Sequence, residues 1–481
     1  MKFKNNRFNS KFLIGAIILI SIIGFYLRYS GIDKVSLWMD ELYTIMRIQG
    51  SLSYTLLTSS DSAFPPFYYL GMNIFRSVFG TNDIALRFPS VVFGVLTITA
   101  IFWLGKELFN WKTGLIAGSL FAIYPYAINY GQEAKQYSLL WLFMVLSFLF
   151  FFRFMNKGRK SDKILYILAM IISIYSIYIG FIFLILHWIC VFIIYRKKIK
   201  DWININLWIF ILYLPWLFIA IKNWLARSGI QWIPEKTKAY FMNELFSLIT
   251  NQSSQLGNSS NIEVGIYILF ICIALITLIT DKKNNEQLII LTVWIIAPFI
   301  IYFIISSIYT PLLVPRYISF IFIPFILIFS YGLSYGLEKK ALRIVSIILT
   351  IILIILIVNY HIQPIKENSL KINKENWKYI FSLACDNSNE KTLTIIQSSK
   401  HVPNLNNSLF HEHYGSCIKG EILYKEELKP LPTLSKKYSQ LLFIYRGYPT
   451  DQDKVIQDII NLNYTQKEKI HSFYSNIVVF N

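Results

Sequence analysis

The chain reads as a polytopic all-α membrane protein with a small α/β domain at its C-terminal end. Three observations lead there. Apolar residues make up 55% of the 481 positions, with a mean hydropathy of +0.48. They fall in blocks long enough to cross a bilayer rather than in amphipathic patterns. From Asn359 onward the composition changes to that of a soluble module. The formal net charge of +19 does not point to nucleic acid, because Lys and Arg cluster in short connectors between apolar blocks, where they act as topology signals.

Helix 1 runs from about Phe12 to Tyr29, with Lys2, Lys4, Arg7 and Lys11 ahead of it, so the amino terminus is expected in the cytoplasm. No small-residue cleavage site follows, and the segment is expected to stay as an anchor. An external loop over residues 31–84 follows. Within it, Pro65 to Gly80 is apolar but short and interrupted by Arg76. If it spanned, the basic connectors at Lys106 and Lys112 and at Arg153 to Lys163 would fall outside. It is therefore read as an interfacial helix on the outer leaflet.

The remaining segments then alternate. Helices 2 (about 85–104), 3 (114–130) and 4 (137–152) lead to five basic residues between Arg153 and Lys163. The block Ile164 to Tyr195 is too long for one helix and is split near Tyr178 to Gly180 into helices 5 and 6. Helix 7 (204–221) leads to an external loop from Lys222 to Glu263, and helices 8 (264–280), 9 (287–306), 10 (318–337) and 11 (344–358) complete about eleven spans. An odd number puts the C-terminal region outside, in a multi-pass protein of the plasma (inner) membrane. The chain thus divides into a transmembrane domain, 1–358, and an extracytoplasmic domain, 359–481.

In that domain Trp377 to Cys385 and Asp451 to Leu462 read as helices, and Thr392 to Ile396, Leu441 to Tyr445 and Phe473 to Phe480 as strands. Cys190 and Cys272 fall within helices 6 and 8, where a thiol is a small hydrophobe. Cys385 and Cys417 share the external compartment, which permits a disulfide, but sequence separation says nothing of Cα distance, so paired and free states both stay open.

The chemistry centres on Ser36-Leu37-Trp38-Met39-Asp40-Glu41-Leu42-Tyr43, an acid pair among aromatics directly after helix 1. Adjacent acids at a membrane boundary need water, a cation or a chemical role. Read alone, the pair is equally a solvated loop. Its company decides: of eight acidic residues in the first 200 positions, this topology puts six outside, namely Asp33, Asp40, Glu41, Asp61, Asp83 and Glu133. Lys135, Arg87 and Arg316 sit at external helix ends. For each cation the plain alternative is a snorkelling interfacial residue, and Glu133 could equally pair with Lys135.

Several motifs then carry a resemblance: Asp40-Glu41-Leu42-Tyr43, Pro65-Pro66-Phe67-Tyr68-Tyr69, Leu86-Arg87-Phe88-Pro89-Ser90, Glu133-Ala134-Lys135-Gln136-Tyr137, Pro315-Arg316-Tyr317 and Glu375-Asn376-Trp377-Lys378. In order and spacing they resemble the lipid-linked-sugar glycosyltransferases of the family 39 type, in the GT-C superfamily. Relatives there include protein O-mannosyltransferases and the aminoarabinose transferase that modifies lipid A. Phe64 stands where a His or Lys commonly precedes the Pro-Pro pair, and Gln132 and Lys135 replace an Arg pair.

The resemblance implies transfer of a sugar from a polyprenyl-phosphate donor to a hydroxyl on a lipid, glycan or protein acceptor, at the extracytoplasmic face. It implies Asp40 and Glu41 as the catalytic pair and Asp61, Tyr69, Arg87, Glu133, Lys135, Tyr137, Arg316 and Tyr317 around the substrates. A polyprenyl phosphate is already a good leaving group, so cations near it suffice. The acceptor hydroxyl needs a base, and Asp40 is the expected one. Glu41 would position it or help Glu133 hold Mg or Mn, with Asp40 and Glu133 as the other candidate pair, since hard carboxylates suit such ions. The rival classes are a transporter or flippase, which would carry polar residues at mid-bilayer, and a non-catalytic scaffold.

Overall fold

The computed structural model describes residues 10–60, 64–226, 284–308, 315–339, 376–397, 411, 413–425, 438–446, 453–461, 464–472 and 475–481, with five positions between 343 and 351. Asp61, Cys272, Glu375, helix 8 and most of helix 11 lie outside the described residues. The chain divides into two units. One comprises 1–30, 50–80 and 85–363, the other 31–49, 81–84 and 364–481, so the expected loop 31–84 is shared between them.

The first unit is helical. Its elements are α1 (Ser10–Tyr29), then, past α2 (Met39–Ile48) of the second unit, α3 (Leu52–Ser60), α4 (Phe67–Phe79), α5 (Asp83–Leu108, from residue 85 on), α6 (Trp111–Ile123), α7 (Pro125–Gly131), α8 (Tyr137–Lys157), α9 (Lys160–Ser176), α10 (Gly180–Ile193), α11 (Ile199–Leu225), α12 (Asn285–Ile308), α13 (Pro315–Ile318) and α14 (Phe322–Glu338). Among the described residues six helical stretches are long and apolar enough to cross a membrane: Ser10–Tyr29, Asp83–Leu108, Tyr137–Lys157, Arg196–Leu225, Asn285–Ser307 and Arg316–Glu338. Side chains such as Ile18 and Ile22 on α1 and Phe303 on α12 are exposed, as lipid-facing surfaces require. The core is a dense aromatic cluster in which Phe148 stacks on Trp294 with centroids 3.8 Å apart.

Local chemistry sets the breaks. The block Ile164 to Tyr195 is interrupted at Ile177, which is extended, and α10 restarts at Gly180, where a Cβ would lie 2.8 Å from Ile174 N. The expected helix 3 is instead two helices, because Tyr124 precedes Pro125 and is held extended. Ion pairs Lys112–Glu338, Arg153–Asp162 and Lys157–Glu107 gather the ends of α5, α6, α8, α9 and α14 on one side, as alternating helices demand. Helix α4 has 13 residues, about 20 Å, too short for a bilayer core of ~30 Å. It packs on α3 through Asn73, whose Nδ2 donates to Gly50 O and Thr55 Oγ1, each at 2.8 Å.

The second unit contains α15 (Trp377–Asn387), β1 (Thr392–Gln397), β2 (Glu421–Lys425), β3 (Gln440–Arg446), α16 (Asp453–Asn461), β4 (Gln466–Ser472) and β5 (Ser475–Phe480). Its sheet has the order β2-β1-β3-β5-β4. Strands β2, β1 and β3 are parallel, while β5 pairs antiparallel with both β3 and β4. Leu393, Ile395, Phe443, Val478, Ile456 and Ile459 form its core. Cys385 and Cys417 are disulfide-bonded, with Cα atoms 5.4 Å apart.

Candidate functional site

In the first unit the expected site residues gather around the connector between α7 and α8. Gln132 Nε2 donates to Ser30 O at 3.2 Å, tying the connector to the end of α1. Ser90 on α5 donates to Lys135 O at 3.3 Å, and Ser138 to Tyr130 O at 3.0 Å. These bonds fold the chain back and bury what lies between: Glu133, Lys135 and Gln136 are 5%, 4% and 0% exposed.

Lys135 is the unusual member. Among the described residues its ammonium has no carboxylate within ion-pairing distance; it lies 5.8 Å from the centre of the Phe64 ring. A buried, unpaired ammonium is costly, and a cation–π contact recovers only part of that cost. Next to it the Gln136 side-chain amide is fully buried, with neither Nε2 nor Oε1 hydrogen-bonded. A buried ammonium is a donor that an anion, such as a phosphate ester, would complete.

Phe64 also meets Tyr69 edge-on at 6.4 Å, so Tyr69 and Lys135 share the Phe64 ring as a neighbour, and Arg87 is buried on α5 one turn before Ser90. Tyr137 packs on Tyr130 at 5.2 Å, and Tyr130 on Trp141 at 5.6 Å. Trp141 Nε1 donates to Ser319 Oγ at 3.3 Å, and Ser319 Oγ donates to Arg316 O at 2.9 Å. Tyr302 donates to Tyr317 O at 2.8 Å. One aromatic cluster therefore carries both the Lys135 connector and the Arg316–Tyr317 turn.

Arg28 is not singled out by any sequence motif. It is fully buried, donating to Phe121 O at 3.0 Å and Ala122 O at 2.9 Å. The signal was Pro125: it has no N–H for the carbonyl four residues back, and Arg28 supplies that donor.

The acid pair belongs to the second unit. It is not in a loop but in the first turn of α2, because Glu41 Oε2 accepts from Trp38 N at 3.2 Å and so closes the helix start. Glu41 is fully buried, whereas Asp40 is half-buried. The same unit contains a cluster that sequence reading did not assemble. Asp83 is paired with Lys378 at 2.7 Å and with His413 Nε2 at 2.9 Å, and accepts from Tyr414 OH at 3.2 and 3.3 Å. In the sequence Asp83 is one of six acids expected outside, and partners 330 and 331 positions away leave no local trace. Among the described residues no three His, Cys, Asp or Glu side chains come together as a metal site.

The family described as dolichyl-phosphate-mannose-protein mannosyltransferase matches residues 63–221, a stretch that includes Tyr69, Arg87, Glu133, Lys135 and Tyr137. No curated protein matches. Among solved structures, ArnT from Cupriavidus metallidurans bound to undecaprenyl phosphate superposes with a TM-score of 0.57 at 12% identity, over 97% of this chain and 98% of that one. The archaeal oligosaccharyltransferase AglB from Archaeoglobus fulgidus, in complex with an inhibitory peptide and a dolichol-phosphate, gives 0.56 at 11% identity, over 91% and 70%. The chain shares its fold with both of these structures.

Proposed function

We propose that this chain, with its GT-C fold and mannosyltransferase-like segment, moves a sugar from a polyprenyl-phosphate donor to an acceptor hydroxyl at the extracytoplasmic face. The observation that carries the proposal is Lys135, a buried ammonium without a carboxylate partner among the described residues. The lipid phosphates bound in the ArnT and AglB structures support the same ligand class here.

In this reading Lys135 and Arg316 face the lipid phosphate and stabilise the charge that grows on it as the glycosidic bond breaks. No general acid is needed for that leaving group. Asp40 takes the acceptor proton, and Glu41, buried and bonded to Trp38 N, holds the start of α2 in place. Incubating the purified protein with a panel of radiolabelled polyprenyl-phosphate sugars and hydroxyl acceptors tests it. Transfer of label from one donor supports the reading, and binding of every donor without transfer favours a flippase.

A further inference from the structure

The second unit joins two parts of the chain that are far apart in sequence, and the joining bonds fall in one place. Trp377 N donates to Ser36 Oγ at 2.9 Å, Lys378 Nζ to Asp33 O at 2.7 Å, and Leu37 N to Tyr414 OH at 2.6 Å. All three land between residues 33 and 37, immediately ahead of α2. From there to the acid pair the backbone is already fixed: Leu37 is fully buried, Glu41 N and Leu42 N both donate to Trp38 O, and Met39 is buried.

We propose that Tyr414 is a positioning residue for Asp40: through Leu37, three residues upstream, the C-terminal domain sets where the first turn of α2 presents its carboxylate. The phenol suits this task because one oxygen does two things. It accepts the Leu37 N–H, and its own proton goes to Asp83, which His413 and Lys378 hold from other directions. The tyrosine is thus clamped on one side by an ion-paired carboxylate and grips the backbone with the other. A phenylalanine would fill the same space and hold neither partner. The inference rests on the base role given to Asp40.

The test compares Tyr414→Phe in two backgrounds, using the polyprenyl-phosphate sugar that supports transfer in the panel. In the otherwise native chain, kcat per folded molecule is predicted to fall about 10- to 100-fold with the donor KM held within about twofold, since a base moved by a fraction of an ångström costs rate and not donor binding. In the Asp40→Asn background, with no base left to misplace, the same change should alter the residual single-turnover rate by less than about twofold. An unchanged kcat, or the same loss in both backgrounds, would overturn the inference. Ser36→Ala cuts the neighbouring link to Trp377 and carries the same expectation where Tyr414→Phe folds poorly. Wild-type turnover by Asp40→Asn alone would remove the base, and this inference with it. Loss of turnover at Asp40 combined with an additive Tyr414 effect would remove the positioning role only.

Discussion

The Asp83 carboxylate and the Lys378 ammonium lie 2.7 Å apart, with Asp83 only 6% exposed and Lys378 39% exposed. The carboxylate is the costlier partner to leave alone. Replacing Lys378 by Met leaves His413 and Tyr414 on Asp83, so the loss is partial, about 1–2 kcal/mol after allowing for solvent at the lysine. Asp83→Ala strands three donors at once and should cost more, about 3 kcal/mol. Thermal unfolding of the purified variants would read this order, and equal stability of both with the native chain would rule the cluster out as a clamp.

Arg28 predicts a defect at a distance from itself. Arg28→Met keeps the apolar stem but strips the donors from Phe121 O and Ala122 O, for a loss of about 3 kcal/mol. Gly94 and Gly131 leave room for the Arg28 side chain, since a Cβ at Gly94 would meet its Nε at 2.8 Å and one at Gly131 its Cδ at 3.0 Å. Gly131→Ala should therefore be destabilising in the native chain and less so beside Arg28→Ala, which removes the stem, and a double-mutant cycle in detergent checks it. Additive effects would contradict the shared packing.

Lys135 separates function from stability. Lys135→Met removes a buried charge that has no ion-pair partner among the described residues, so the protein without donor should be as stable as the native chain or more so. Affinity for a polyprenyl phosphate should drop about 10- to 100-fold, the worth of one charge-assisted bond. Arg316→Gln should weaken donor use in the same direction. Unchanged affinity in both variants would take them out of the site.

The disulfide between Cys385 and Cys417 closes a loop with a sequence separation of 32, for which chain-entropy arguments give ~3–4 kcal/mol. Cys385→Ser should lower the unfolding temperature of the C-terminal domain markedly. An unchanged temperature would mean that the bridge contributes nothing.

Long periodic elements were legible in the sequence. The division of Ile164 to Tyr195 near Tyr178 to Gly180 matches the α9–α10 break because length alone forces it, and α4 is the short helix its interruption by Arg76 suggests. The splitting of helix 3 was within reach, since Tyr124-Pro125 announces it. Strand β4, Gln-Lys-Glu-Lys-Ile-His-Ser, was not expected, because an edge strand held by backbone pairing to β5 needs no apolar alternation. Helix α2 was hidden for a related reason: Trp38 is no usual cap, and the start depends on Glu41 reaching back to the Trp38 amide. Of the site, residue types and order were readable. The burial of Lys135 and the gathering of Asp83, Lys378, His413 and Tyr414 were not, because they depend on contacts between distant segments.

The central claim is that Asp40, half-buried in the first turn of α2, removes the acceptor proton. Asp40→Asn keeps the shape and loses the basicity, and a positioned base is worth about 100- to 10,000-fold in rate. The direct measurement is sugar transfer per folded molecule by purified Asp40→Asn protein, at saturating donor, alongside its thermal unfolding. Native stability with turnover lowered by that factor is the expected result. Transfer at the wild-type rate would contradict it and return Asp40 to the role of a helix-start residue.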